Sequence, residues 1–424
     1  LESNNNIDQT LNHLFREESG KMVSVLIKIF GTENIEMAED VVQDALVKAL
    51  ETWKYNGMPD NPRAWLYRTA KNKAIDVIRR NKHSKLIDFS DPQKQLLTSG
   101  YTLETTMDNY WNEDGIKDDF LGMMYACCHP EISQENQITF ILKSLCGFST
   151  KEVAKSFLTS PDTISKRLYR TKEYFRKNRI SLQIPTNKQI EERTHTVLSA
   201  IYLLFNEGYN STHADQLIRK DLIGQAMLLC KSLLSNKRTK LPEVYALMAL
   251  MCFHSARLDS RITREGELIL LSKQDRTLWD KVLMQTGEKY LNHAAFGNNL
   301  TTYHLEAAIA FQHCAAQQYE DTNWKEILMY YDLLLEIADD PIVFLNRCLV
   351  ILEYKGPKEA LIVLKTMKNT SMLDKYYVYH ATLGEIYKRL LNTNLSIKHY
   401  ERAIKLTQSK QEQQFLKDKI AGKC

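Results

Sequence analysis

Residues 61–85, NPRAWLYRTAKNKAIDVIRRNKHSK, combine Arg, Lys, Asn and a Trp with a single acid, Asp76. Asn61 suits an N-cap, Pro62 fits a first helical turn, and no later Pro or Gly interrupts the run, so one helix is expected. At helical spacing Leu66, Ala70, Ala74 and Val77 or Ile78 form an apolar stripe, while Trp65, Arg68, Asn72, Asp76 and Arg79 line another face. Charge alone would favour the bland reading, a solvated basic face on an amphipathic helix. Trp65 and Asn72 tilt the balance. An aromatic plane holds an unstacked base for roughly 1 to 3 kcal/mol, and an Asn reads a base edge. Arg79, Arg80, Lys82 and Lys85 would add phosphate contacts, which fix register without reading sequence. The chemistry these residues suit is the holding of opened DNA.

The chain that positions this helix has 424 residues and a formal net charge of +4. That length holds several domains, and so small a charge places any nucleic-acid contact in local patches rather than a global field. Helix formers dominate, Gly and Pro are sparse and alternating β-branched runs are scarce, so an all-α fold is expected. The eight Cys lack disulfide-scaffold spacing and no secretory-signal pattern accompanies them, which points to a reduced, cytoplasmic protein. No apolar run approaches the roughly 20 residues that span a bilayer, so no membrane role is expected.

Four stretches separate by composition. Residues 1–84 read as a compact helical domain, with a helix from about Gln9 to Phe30, an acidic helix from Ile35 to Trp53, and the basic helix above. Residues 85–114 lose periodicity while Asp88, Asp91, Glu104, Asp108, Glu113 and Asp114 accumulate, as in a flexible acidic linker. In residues 115–182, Ser133 can cap a helix running to Cys146, Ser149 and Glu152 fit a capping box, and Ser160-Pro161 opens another helix. The last two helices flank a short turn. Val153, Ala154 and Phe157 face Ile164, Leu168 and Phe175, leaving Lys166, Arg167, Arg170, Lys172, Arg176 and Lys177 outside. This is the pattern of a helix-turn-helix, whose second helix enters the major groove. A lone basic helical hairpin is as often structural; two DNA-suited helices on one chain sharpen the reading.

Residues 183–424 are helical in pattern throughout. Toward 341–408 they carry a tetratricopeptide-like signature: Leu383, Gly384, Tyr387, Tyr400 and Ala403 fall at helix-contact positions, with Ser396 in place of the usual small Ala. The preceding unit, 341–368, fits more loosely through Ala360 and Leu364.

Together these residues resemble the extracytoplasmic-function sigma factors of bacteria, within the sigma-70 family, in the variety with a long tetratricopeptide-like C-terminal extension. The resemblance spans essentially the whole chain. Ala38-Glu39-Asp40-Val41-Val42-Gln43-Asp44 followed by Trp53 is similar to the region that docks on the clamp helices of the polymerase β′ subunit, which implies docking roles for Glu39, Asp40, Gln43 and Asp44. Asn61, Arg63, Trp65, Arg68, Asn72, Asp76, Arg79 and Arg80 resemble the −10 recognition and melting segment of region 2. The helix-turn-helix resembles region 4, which implies −35 contacts from Pro161, Asp162, Ser165, Lys166, Arg167 and Arg170 and a partner in the β flap. Many members have Gly where this chain has Asp162. Phe205-Asn206-Glu207-Gly208-Tyr209, Gln274-Asp275-Arg276 with Trp279-Asp280, and Asn346-Arg347 resemble the extension of the same variety.

Other chemistry is weaker. Cys127-Cys128-His129-Pro130 lacks the spacer that lets zinc ligands converge, so no metal or cofactor is expected, and a buried helix end is the better reading. Reactive use of the two thiols would need an exposed, low-pKa thiolate. Glu207, Arg219, Asp221, Asp275, Arg276 and Asp280 could be catalytic, yet charged clusters in helical repeats more often tie one layer to the next. A ligand or interdomain site near Asn206, Glu207, Tyr209, Asp275, Arg276 and Trp279 is the third reading. No glycine-rich phosphate loop or nucleophile elbow marks an enzyme.

The function expected from all this is a non-enzymatic promoter-specificity subunit that binds core RNA polymerase and promoter DNA, with a C-terminal domain that meets a regulator or ligand. The alternative is a free-standing helix-turn-helix regulator sensing through its repeats, which leaves Trp65 and the Glu39-Asp40 helix without a role.

Overall fold

The computed structural model describes residues 2–81, 87–88, 92–99, 102–157, 159–180, 188–211, 218–263, 267–297, 299–367, 373–407 and 409–422. Among them the chain is helical, apart from one isolated antiparallel bridge between Ile262 and Leu268. It divides into two compact units, residues 1–204 and 205–424.

The first unit contains α1 (Glu2–Phe30), α2 (Ile35–Asn56), α3 (Pro62–Asn81), α4 (Pro92–Gln95), α5 (Leu103–Tyr110), α6 (Glu113–Cys127), α7 (Gln134–Phe140), α8 (Thr150–Ser156), α9 (Pro161–Asn178) and most of α10 (Lys188–Tyr209). α1 packs against α2, α3 and α6, so it is the spine of the unit. The apolar stripe expected on α3 is buried, through Leu66, Ala70, Ala74 and Ile78. α3 ends at Asn81; Lys82 and Lys85 lie outside the described residues.

Local helix signals act as their chemistry requires. Ser149 and Glu152 form a reciprocal capping box at α8, and the Ser160 hydroxyl accepts from the Thr163 N–H ahead of Pro161. Ser133 occupies the N-cap of α7 without a side-chain cap bond. α7 runs on into a π-helical turn, Ile141–Leu145.

Two expectations need correction. The 85–114 stretch is not a featureless tether: α4 and α5 form there, and Leu97, Leu103 and Met107 are buried. Burial of these apolar side chains, with acids facing the cations of α3, gives the segment a reason to fold. Nor do residues 1–84 and 115–180 stand apart. α1 lies so close to the π turn that a Cβ added at Gly20 would come within 2.0 Å of the Leu145 carbonyl oxygen. The Arg16 guanidinium also reaches Glu152 at 3.2 Å.

The second unit begins with the last turn of α10 and continues through α11 (Lys220–Ser235), α12 (Pro242–Ser255), α13 (Lys281–Ala294), α14 (Thr302–Ala315), α15 (Trp324–Ile337), α16 (Pro341–Tyr354), α17 (Pro357–Lys365), α18 (Tyr377–Arg389), α19 (Thr393–Leu406) and α20 (Lys410–Ile420). Most helices pack on their sequence neighbours, and Leu305, Ile327, Leu345, Ile351, Leu364 and Ile386 share one core. α18 and α19 approach closely at Gly384, where a Cβ would meet the Tyr400 ring at 2.7 Å. Ser396 donates to the Gly384 carbonyl at 2.9 Å, which accounts for a hydroxyl at this small-residue position.

Candidate nucleic-acid interface

α3 starts where the Asn61 side chain accepts from the Ala64 N–H at 2.9 Å. Its apolar side is fixed against the core, so Arg68, Asn72, Asp76, Arg79 and Arg80 are turned to solvent. Asp76 tempers this row: Arg79 lies 4.0 Å from its carboxylate, and the Arg80 Nε donates to its backbone carbonyl at 3.3 Å. Trp65 is half-buried, its ring set edge-on to Trp53 with centroids 5.4 Å apart. Arg63 is drawn toward the buried Glu18 at 3.4 Å and lies over the Tyr67 ring, whose hydroxyl donates to the same carboxylate. Burial, with the Glu18 charge, pushes the Tyr67 phenol well up and keeps it a donor.

The acidic segment after α3 faces its cations. Lys71 meets Asp108 at 2.6 Å, Arg79 meets Glu104 at 3.7 Å, and Arg63 meets Glu113 at 3.8 Å. Such exposed pairs contribute little to stability, about 0 to 1 kcal/mol each. Their effect is on the field, since each acid offsets a positive charge on this face.

On α9, Pro161, Asp162, Ser165, Lys166 and Arg170 are exposed, while Arg167 is mostly covered at 16% side-chain exposure. Its guanidinium lies over the Phe157 ring at 5.0 Å and pairs with Glu135 at 2.5 Å. Asp162 sits in the first turn, where the helix dipole favours an acid.

On α2, Asp40, Gln43 and Asp44 are exposed and Glu39 is half-buried. Glu39 accepts from Ser144 at 2.9 Å and from Lys172 at 2.5 Å. Arg176 meets Glu36 at 3.0 Å, and Asp44 meets Lys73 of α3 at 3.0 Å. A crevice of about 180 Å³ lined by Phe15, Glu39, Gln43, Lys143, Leu168 and Lys172 remains where α2 and α9 meet. A wider groove of about 800 Å³ is lined by Glu36, Asp40, Asp44, Arg80, Arg176 and Arg179.

In the second unit the polar residues singled out by sequence fall into separate roles. Glu207 is buried and accepts from Ser211, with Arg219 at 4.0 Å and Asp221 at 3.4 Å from that same guanidinium. Asp275 caps the turn at Arg276–Leu278, and Asp280 caps α13. Asn206 is half-buried. Tyr209, Arg276 and Trp279 belong instead to an aromatic and guanidinium cluster, in which Arg276 lies 4.5 Å over the Trp279 ring. Cys127 and Cys128 are buried free thiols, and burial pushes both well up from their ordinary value. Among the described residues no group of His, Cys, Asp and Glu is arranged to hold a metal, and no helix is long and apolar enough to cross a membrane.

The helices that carry the basic row and the acids of α2 fall, with α1, within a known module: residues 14–84 match the family model for sigma-70 region 2. The chain carries a sigma-70 region 2 domain. Residues 193–295 match a second model, a family of unknown function (DUF6596). An uncharacterized protein of Rhizobium meliloti (strain 1021) is 28% identical over 395 residues, covering 93% of this chain and 91% of its own length. No solved structure matches the chain at a significant level. The region 2 match bears on transcription initiation, and proteins of the sigma-70 family are not enzymes.

Two groups escaped the sequence reading. Glu18 of region 2 organises Lys21 on its own helix and Arg63 and Tyr67 on α3, and these two long-range partners leave no local mark. Arg257 and Arg261 join Tyr209 and Trp279 in the second unit. The spacing His254, Arg257, Arg261, one and two turns apart after an apolar helix, was the available signal.

Proposed function

We propose that this protein is a promoter-specificity subunit of bacterial RNA polymerase, of the extracytoplasmic-function variety with a tetratricopeptide-like extension. The observation that carries the reading is the overlap of the region 2 match with α1 to α3, whose exposed row includes Arg68, Asn72 and Arg80. In this role Asp40, Gln43 and Asp44, with Glu39, dock on the β′ clamp helices. Asn61 to Trp65 hold a base extruded from the non-template strand, a step whose unstacking cost of a few kcal/mol a fitted pocket offsets. α8 and α9 form the helix-turn-helix of region 4. Pro161, Asp162, Ser165, Lys166 and Arg170 line its DNA side, and Arg167 joins them once released from Glu135. The second unit regulates these contacts by meeting a ligand or protein.

In the same reading the described first unit is a resting form. Lys172, Ser144 and Arg176 hold Glu39 and Glu36, so core polymerase competes with the helix-turn-helix for the acids of α2. Binding of fluorescent full-length protein to purified core polymerase tests this. Asp40→Lys is expected to abolish binding, and Lys172→Ala with Arg176→Ala to tighten it severalfold. Wild-type affinity in all variants would reject the docking role of α2.

A further inference from the structure

We infer that the second unit binds an oxyanion, a phosphate or carboxylate group, between the guanidiniums of Arg257, Arg261 and Arg276 beside Tyr209 and Trp279. The three arginines form one connected cluster. Arg261 lies 3.7 Å over the Tyr209 ring, and the Tyr209 hydroxyl accepts from Arg257 at 2.8 Å. Arg257 and Arg276 both lie over the Trp279 ring, at 5.7 and 4.5 Å. Trp279 is only 4% exposed and Arg261 9%, whereas Arg257 and Arg276 are half-buried and reach the surface.

Buried charges are normally paired, yet among the described residues no carboxylate pairs with any of these three guanidiniums. Glu320 and Asp321 favour the Arg276 charge only from beyond ion-pair distance. Part of the compensation comes from helix C-termini: Arg261 donates to the Tyr209 carbonyl at the end of α10, and Arg276 donates to the His313 and Ala316 carbonyls at the end of α14, at 2.7 and 2.6 Å. Arg257 follows the end of α12. The two helix ends that touch guanidiniums supply on the order of −1 charge, about a third of what three guanidiniums carry. The remainder matches a single phosphate or a pair of carboxylates.

Nitrogens without partners point the same way. Arg276 Nη2, Trp279 Nε1 and His313 Nδ1 are buried and make no hydrogen bond. The field of the cluster is felt by its histidines. Burial, then Arg257 and Arg276, pushes His313 down to about 3, and burial with Arg257 and Arg261 puts His254 well below its ordinary value. Both are therefore neutral near pH 7, so the positive charge of the cluster is that of its three guanidiniums. Planar guanidinium forks bind phosphate and carboxylate bidentately, and the aromatic rings hold those forks in place.

This site does not depend on the polymerase reading and is testable without it. Full-length protein is titrated with inorganic phosphate, and separately with succinate, against sodium chloride at matched ionic strength, following tryptophan fluorescence and the melting temperature. A saturable response to phosphate or to succinate is expected, with none to chloride, and the arm that saturates names the group bound. Arg276→Gln and Arg257→Gln should weaken it about tenfold or more. Arg257→Lys keeps the charge, so it should melt like wild type without anion yet bind more weakly. Responses to both oxyanions identical to chloride would overturn the site, as would undiminished binding in Arg257→Lys and both Gln variants.

Discussion

At Arg167 the guanidinium rests over Phe157 and pairs with Glu135, so the side chain proposed to read a base is held by its own neighbours. In the proposed −35 role, DNA competes with Glu135 for this side chain. Glu135→Gln is therefore expected to tighten binding to a duplex −35 fragment, and Arg167→Ala to weaken it by about 1 to 3 kcal/mol while relaxing sequence preference. Fluorescence anisotropy on matched and scrambled duplexes checks both; unchanged affinity in the two variants would remove Arg167 from base reading. Asn61 and the Ser149–Glu152 box were legible from sequence because a cap and its target lie within one turn. The Glu18–Arg63 and Glu135–Arg167 contacts were not, since these partners lie 45 and 32 positions apart in the chain and only the folded packing brings them together.

Among the elements, α3 was the most legible, because its buried stripe repeats at helical spacing and Asn61 marks its start. α5 was the least. Its run of acids suggested a solvated linker, yet Leu103, Thr106 and Met107 bury one side while Asp108 and Glu104 turn to Lys71 and Arg79. Charge composition hid a short amphipathic pattern. In the second unit α18, α19 and α20 are joined at Glu385. Burial alone would raise this carboxyl, but hydrogen bonds and charge from Lys419, Tyr400 and Arg389 hold it at about 2 against an ordinary 4.5. Because the folded value lies below the unfolded one, the stability it contributes is in place above about pH 4.5 and is lost as the pH falls toward 2. Glu385→Gln should therefore lower the melting temperature near neutrality and flatten its decline in acid. A variant that melts with wild type at both ends of that range would contradict the assignment.

Across the molecule, the all-α class followed from composition, whereas the compactness of the first unit did not. Close approach at Gly20, the Arg16–Glu152 pair and the Lys172–Glu39 pair join stretches that composition separated. The unit also runs past 182, the expected boundary, to Leu204: the Tyr125 hydroxyl is 2.7 Å from that of Thr194, and Arg193 donates to the Tyr125 carbonyl at 3.4 Å. A helix crossing a domain boundary leaves no mark in a single sequence. The proposed role of the whole chain makes one demand above the others, that it direct core polymerase to start at chosen sites. Run-off transcription with purified bacterial core polymerase, full-length protein and a promoter library measures this. Discrete transcripts that require the protein, and that disappear with Asp40→Lys, are predicted; repeated absence of protein-dependent initiation, with core polymerase active alongside another sigma subunit, would contradict it.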